Sequence, residues 1–247
     1  MNSGMYAALS GSMVSLQRME TLTNNLANLN TPGFKKDRLV FESVLASVDA
    51  SPPPASVMER TPLHTGVQQI ITDYTAGPAR QTGATLDFAL DGDGYFAVKT
   101  PQGKAYTRQG NFHLDAGGKL LTAQGDEVLG NGNGSTITIT GSKVEVDSKG
   151  AILVDGAQVG VLDLVDFQKP YALKKAGGAL FTAGEGVGEQ PAKKTSVKQG
   201  FIEDSNVNSI LEMANLIETT RYYESCLKAV RSYDDMAAKA TNELGKL

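Results

Sequence analysis

At 247 residues, with 20% charged and 6% aromatic residues, 27 glycines and no tryptophan, the chain can bury a sizeable core and has the profile of turn-rich β structure rather than of a helical bundle. Its 23 basic and 27 acidic residues give a net charge of -4, with no basic block that would track nucleic acid or an anionic lipid surface. One cysteine, Cys226, excludes an internal disulfide framework, and no run approaches the roughly 20 apolar residues that span a bilayer.

The first predicted element runs from Asn2 to about Asn30, free of proline, with Met5, Leu9, Leu16, Met19 and Leu26 near a 3.5-residue repeat. Ser12 and Thr23 interrupt this seam, Ala8, Leu22 and Leu29 widen it, and Pro32-Gly33 stops the helix. Only Arg18 and Glu20 are ionised before Phe34. A surface helix normally carries a charged outer face, so this one is expected to be covered on several sides. Asn24 and Asn28 lie one turn apart on one face and, buried between helices, are expected to fix register through paired amides, and Asn25 is placed with them at the assembly interface.

Residues 37–81 read as a connector, kinked by Pro52-Pro53-Pro54 and showing little periodicity. From Leu86 to about Gly200 short apolar runs alternate with turn signals at Asp91-Gly92, Asp93-Gly94, Gln102-Gly103, Gln109-Gly110, Gly117-Gly118 and Gln124-Gly125. Tyr95 to Val98, Thr136 to Thr140 and Val159 to Val165 are predicted strands of a small sandwich or irregular barrel. The last element is a helix capped by Asn206 or Asn208, with an apolar stripe of Ile210, Met213, Leu216, Ile217, Tyr223, Leu227 and Val230. Glu224 precedes Lys228 by four residues, the favoured order for a helical ion pair.

The expected fold is α+β, with boundaries at 1–36 for the N-terminal helix and its closing signature, 37–81 for the connector, 82–201 for the β-rich domain and 202–247 for the C-terminal helix. Neither terminal helix can bury its stripe alone, so they must pair with each other or with other chains.

No catalytic, cofactor-binding or metal-binding residue is identified. Asp91, Asp93 and Gly94 suggest a calcium loop, but its fifth, sixth and twelfth positions are Tyr95, Phe96 and Gln102, where an oxygen ligand, glycine and glutamate are required. Gly130-Asn131-Gly132-Asn133-Gly134 resembles a phosphate cradle, yet a β-prone run follows it where a helix N-terminus is required. His64 and His113, the only histidines, have no zinc-ligand spacing or nucleophile motif beside them, and Cys226 on the apolar helix reads as a packed thiol.

Three ordered blocks carry a family resemblance. Asn24 to Lys35, reading NNLANLNTPGFK, closely resembles the signature that closes the N-terminal helix of bacterial flagellar rod and hook proteins. Leu86 to Phe96, continuing through Tyr106 to Phe112, looks like the opening of that family's β domain, and Gln199 to Asn208 is similar to its approach to the C-terminal helix. The opening Met1 to Gly11 and the closing Ala240 to Gly245 look most like proximal-rod members, with distal-rod or hook-type members as the alternative. Tyr222-Tyr223 departs from the family's usual alanine and aromatic residue, and Pro52 to Pro54 matches no family pattern.

The resemblance implies a structural subunit, not an enzyme, that polymerises through terminal helices into a torque-transmitting tube with the β domain outside. It also implies delivery to the periplasmic rod by the flagellar export apparatus without a cleaved signal peptide, and helices that complete their packing on assembly. Implied partners are other copies, other rod proteins and, in an alternative reading, a ring protein or peptidoglycan bound by the β domain. No cofactor, nucleic acid or membrane insertion is expected.

Overall fold

A computed structural model describes residues 2–40, 69–130, 134–184 and 186–244 of the chain. His64, Pro52 to Pro54 and most of the supposed phosphate cradle lie outside the described residues. The architecture is α+β, with a long helix at each end of a β-rich region. The chain forms two compact units: residues 1–27, 37–73 and 208–247 make a helical unit, and residues 28–36 and 74–207 a β-rich unit.

In the helical unit, α1 (Asn2–Ala27) and α2 (Ser209–Leu244) are accompanied by a two-stranded antiparallel ladder of β1 (Asp37–Val40) and β2 (Gln69–Thr72). α1 ends a few residues before Pro32, as the proline requires. Asn208 is the cap of α2, its Oδ1 accepting the Leu211 N–H at 3.1 Å. Asn206, the other candidate, instead accepts the Lys36 N–H at 2.7 Å within the β-rich unit.

The strands of the β-rich unit, in chain order, are β3 (Ala79–Gln81), β4 (Phe88–Asp91), β5 (Tyr95–Thr100), β6 (Gly103–Thr107), β7 (His113–Leu114), β8 (Leu120–Leu121), β9 (Glu127–Gly130), β10 (Ser135–Thr136), β11 (Val144–Val146) and β12 (Ala151–Val154). They continue with β13 (Ala157–Val161), β14 (Leu164–Phe167), β15 (Leu173–Gly177), β16 (Leu180–Ala183), β17 (Glu189–Pro191), β18 (Ser196–Gln199) and β19 (Phe201–Glu203). The largest sheet has the order β15-β16-β6-β5-β9-β8-β7, with β10, β14 and β17 joined at its sides. β11-β12-β13 form a second sheet, and β18-β4 and β19-β3 pair separately.

Two predicted strands are shorter than expected. The Thr136 to Thr140 run continues past β10 only as a bridge between Lys119 and Thr138, and the Val159 to Val165 run is divided between β13 and β14 by Leu162-Asp163. In both, the break lets the chain change partners: Leu162 bridges Gly130, while Val165 pairs with Tyr95.

Two apolar clusters fill the unit. One gathers Phe88, Phe96, Val98, Leu120, Val128, Ile152 and Leu162, and the other Tyr95, Ala97, Tyr106, Phe167 and Phe181. Successive residues of β5 thus serve opposite faces of one sheet, as strand periodicity dictates. Gly110 shows why the turn glycines matter: a Cβ there would lie 1.7 Å from the Phe88 carbonyl oxygen. Asp91 and Asp93 are engaged by Lys198 and Lys169 at 2.6 and 2.7 Å.

Candidate assembly interface

The sequence places the candidate interface on the two terminal helices, which pack antiparallel within the helical unit. A Cβ at Gly4 would fall 2.2 Å from the Tyr233 hydroxyl, and one at Gly11 would fall 3.2 Å from Cys226 Sγ. Thr220 Oγ1 lies 3.5 Å from Met19 Sδ, and Asn25 Nδ2 lies 3.5 Å from a Glu212 carboxylate oxygen. The helices therefore pair with each other inside one chain, one of the two arrangements the sequence left open.

The seam between them is not the apolar line that the sequence suggested. Ser12, Ser15, Leu22 and Asn25 are buried on α1, with Gly4 and Gly11 on the same side, opposite Glu212, Thr219 and Cys226 on α2. Small residues let the two backbones approach closely. The hydroxyls are satisfied within their own helices: Ser12 donates to Leu9 O, Ser15 to Gly11 O and Thr219 to Asn215 O, each at 2.7 Å. A serine so bonded can be buried without an unmet polar group.

Asn25 supplies the polar fixed point. Its Nδ2 donates to Asp37 O at 2.8 Å and its Oδ1 accepts Asp37 N–H at 2.9 Å, so one amide reads both backbone groups of the first β1 residue. Of the three asparagines placed at the interface, Asn25 is the buried one. Asn24 is exposed, and Asn28 Oδ1 accepts the Thr31 hydroxyl at 3.2 Å inside the β-rich unit. Leu29 is half-buried in that same unit.

The remaining candidates divide by exposure. Met5, Met19 and Leu26 on α1 are half-buried, as are Leu216, Tyr223, Leu227 and Val230 on α2. Leu9 and Leu16 are 45% and 42% exposed, and Ile210, Met213 and Ile217 are 81%, 49% and 56% exposed. Tyr6 and Met13, which the sequence reading omitted, join Leu9 and Leu16 in a stripe at three- and four-residue spacing, turned away from the seam. That spacing was the available signal.

The two exposed stripes lie at opposite ends of the helix pair. Because the helices are antiparallel, residues 6–16 run alongside the α2 stretch near 221–231, whose outer positions Arg221, Glu224, Lys228 and Arg231 are charged and exposed. Ile210, Met213 and Ile217 run alongside the end of α1, where Glu20, Thr23 and Asn24 are exposed. The α1 stripe is thus flanked by those α2 charges and by Tyr222, which is 58% exposed, and the α2 stripe by polar side chains.

The comparisons with known proteins agree with this arrangement of parts. Residues 5–35 match the model described as "Flagella basal body rod protein", residues 89–154 "Flagellar hook protein FlgE/F/G D1 domain", and residues 198–243 "Flagellar basal body rod FlgEFG protein C-terminal". The flagellar basal-body rod protein FlgF of Rhizobium meliloti (strain 1021) is 35% identical over 249 residues, covering 99% of both chains. This chain belongs to the flagellar basal-body rod protein family. FlgF of Caulobacter vibrioides is 32% identical over the whole of both chains, and FlgG of Bacillus subtilis (strain 168) is 32% identical over 96% of this chain and 97% of that one. The rod proteins of this family are structural subunits, and the basal body is their location.

Proposed function

We propose that this rod protein polymerises through the outward faces of its helix pair, the stripe Tyr6, Leu9, Met13 and Leu16 of one subunit packing against Ile210, Met213 and Ile217 of the next. The observation that carries this reading is the pair of exposed apolar stripes on different helices, at opposite ends of the pair. Two different patches that complement one another make a heterologous contact, and a heterologous contact that does not close on itself builds an open helical polymer. A tube made this way resists twisting because each subunit is held through buried apolar contacts, which is the property a torque-transmitting shaft needs. The seam residues Leu22 and Asn25 then serve by holding the two faces in one rigid body.

The neighbours in this reading are further copies and other rod proteins, in the periplasmic part of the basal body. The chain reaches them through the flagellar export apparatus. A proximal-rod position is supported by the opening residues Met1 to Gly11 and the closing residues Ala240 to Gly245. The division proposed at 1–36, 37–81, 82–201 and 202–247 assigns assembly to the terminal helices.

Cryo-electron microscopy of intact basal bodies tests the reading. The expected result is density for this chain in the rod nearest the inner membrane, with residues 6–16 against the 210–217 stretch of a neighbour. Density at the distal end of the rod would move the subunit. Helices lying free of other chains would contradict the proposal.

A further inference from the structure

The β-rich unit buries three charges in one cluster. Lys35, Glu203 and Arg108 are 1%, 3% and 5% exposed. Lys35 Nζ donates to Glu203 Oε1 at 2.5 Å and to Thr75 O at 2.7 Å. Arg108 donates to Glu203 Oε2 at 3.1 Å and to Gly92 O at 2.6 Å, with its guanidinium 5.4 Å from the centre of the Tyr95 ring. Three hydrophobic side chains of similar volume could fill such a space at less desolvation cost, so the charges need a role that packing does not supply.

Their positions along the chain indicate that role. Lys35 follows α1 by eight residues and Glu203 precedes α2 by six. The backbone between these points is cross-bonded: Gly33 N–H donates to Glu203 O at 2.8 Å, Asn206 N–H to Phe34 O at 3.3 Å, and Lys36 N–H to Asn206 Oδ1 at 2.7 Å. Gly77 N–H donates to the same Glu203 Oε1 at 3.0 Å. Lys175 closes the other side, donating to Lys35 O at 2.5 Å with its ammonium 4.2 Å from the centre of the Phe34 ring. Gly33, at φ +67°, sits so close to the Arg108-Gln109 peptide that a Cβ would lie 2.4 Å from it.

We propose that Glu203, with Lys35 and Arg108, forms a buried charge clasp that holds the two crossings of the chain, residues 33–36 and 201–206, side by side on the β-rich unit. Glu203 is the positioning residue: its side chain takes the two cations and the Gly77 amide, and its backbone takes Gly33. Because the clasp joins residues from three distant parts of the sequence, it closes only when the chain through Glu203 has folded. Both helices are connected to the β-rich unit at these crossings.

The charges predict an asymmetry. Glu203→Gln leaves two buried cations without a carboxylate, whereas Lys35→Met leaves the Glu203–Arg108 pair intact. The test is hydrogen exchange on the full-length protein, reading the amides of Gly33, Gly77 and Asn206 against those of Leu120 and Leu162, which bond within the β core. Exchange at the first three should rise by about a hundredfold in Glu203→Gln and about tenfold in Lys35→Met, with Leu120 and Leu162 unchanged. Adding Lys35→Met to Glu203→Gln should return part of the lost protection, a rescue that general loss of packing would not give. If Glu203→Gln does not fold, Lys35→Met alone decides by the same local pattern. Unchanged exchange at the three amides, or a uniform rise that includes Leu120 and Leu162, would overturn the clasp.

Discussion

The two units handle apolar surface in opposite ways. Among the described residues, thirteen of the fourteen large apolar side chains left exposed belong to the helical unit, and Val159 is the one from the β-rich unit. The β-rich unit hides Phe88, Phe96, Leu120 and Phe181 completely, while the helical unit buries Ser12, Ser15, Asn25 and Thr219 and turns Tyr6, Met13, Ile210 and Ile217 outward. One unit is finished when it folds. The other leaves apolar surface exposed, and that surface is the one proposed to assemble.

If that contrast is right, mutations should separate stability from assembly according to unit. The largest stability effect is expected in the β core: Leu120→Ala, at a fully buried site, should cost about 2–5 kcal/mol and lower the main thermal transition of the full chain, as followed by near-ultraviolet circular dichroism. A loss confined to helix melting would mean that the cores are not separate in the way described.

Next is the seam. Gly11→Leu inserts a side chain where a Cβ alone would lie 3.2 Å from Cys226 Sγ, and overpacking of this kind costs about 1–3 kcal/mol. Helical ellipticity should be lost at lower temperature than in the parent, with the β transition in place. An unchanged helix melt would show that the helices do not rely on this close approach.

These two sites also mark how far the sequence could be read. The stop at Pro32, the cap at Asn208 and the turn glycines were legible because each has a local backbone cause. The seam was not, because hydrophobicity points to Leu9 and Leu16, whereas close approach selects Gly11, Ser12 and Ser15, whose hydroxyls find partners in their own helix. Within one chain α2 covers one face of the sparsely charged α1, and the opposite face is exposed and apolar. The clasp was illegible for a different reason. Lys35, Arg108 and Glu203 are separated by long stretches of sequence, and only the three-dimensional fold brings them within hydrogen-bond distance.

On the outward face, Met13→Lys should change stability by no more than about 0.5 kcal/mol, since Met13 is 64% exposed. The same substitution should stop rod completion, read as the loss of swimming with the protein still made at normal levels. A destabilised chain would place Met13 in the fold rather than at the interface.

The smallest expected effect is on pH dependence. Burial pushes the Glu189 carboxyl up, but hydrogen bonds from Lys104 and Tyr106 outweigh it and hold the group below its ordinary 4.5. A lowered folded value adds stability that is present above the unfolded value and is lost as pH falls through the folded one. Glu189→Gln should therefore flatten the decline in melting temperature below about pH 4. An identical decline in parent and variant would remove Glu189 from the account.

The central claim, that the outward helix faces meet other axial subunits, is tested most directly by photo-crosslinking in assembled basal bodies, with a photoreactive residue at Met13 and, separately, at Val159 in the β-rich unit. The account predicts that the Met13 adduct contains a second rod-protein chain, joined by mass spectrometry to its 210–217 stretch, and that Val159 gives no such adduct. Adducts to another rod protein from Val159 alone would contradict it, and would make the β-rich unit the assembling surface.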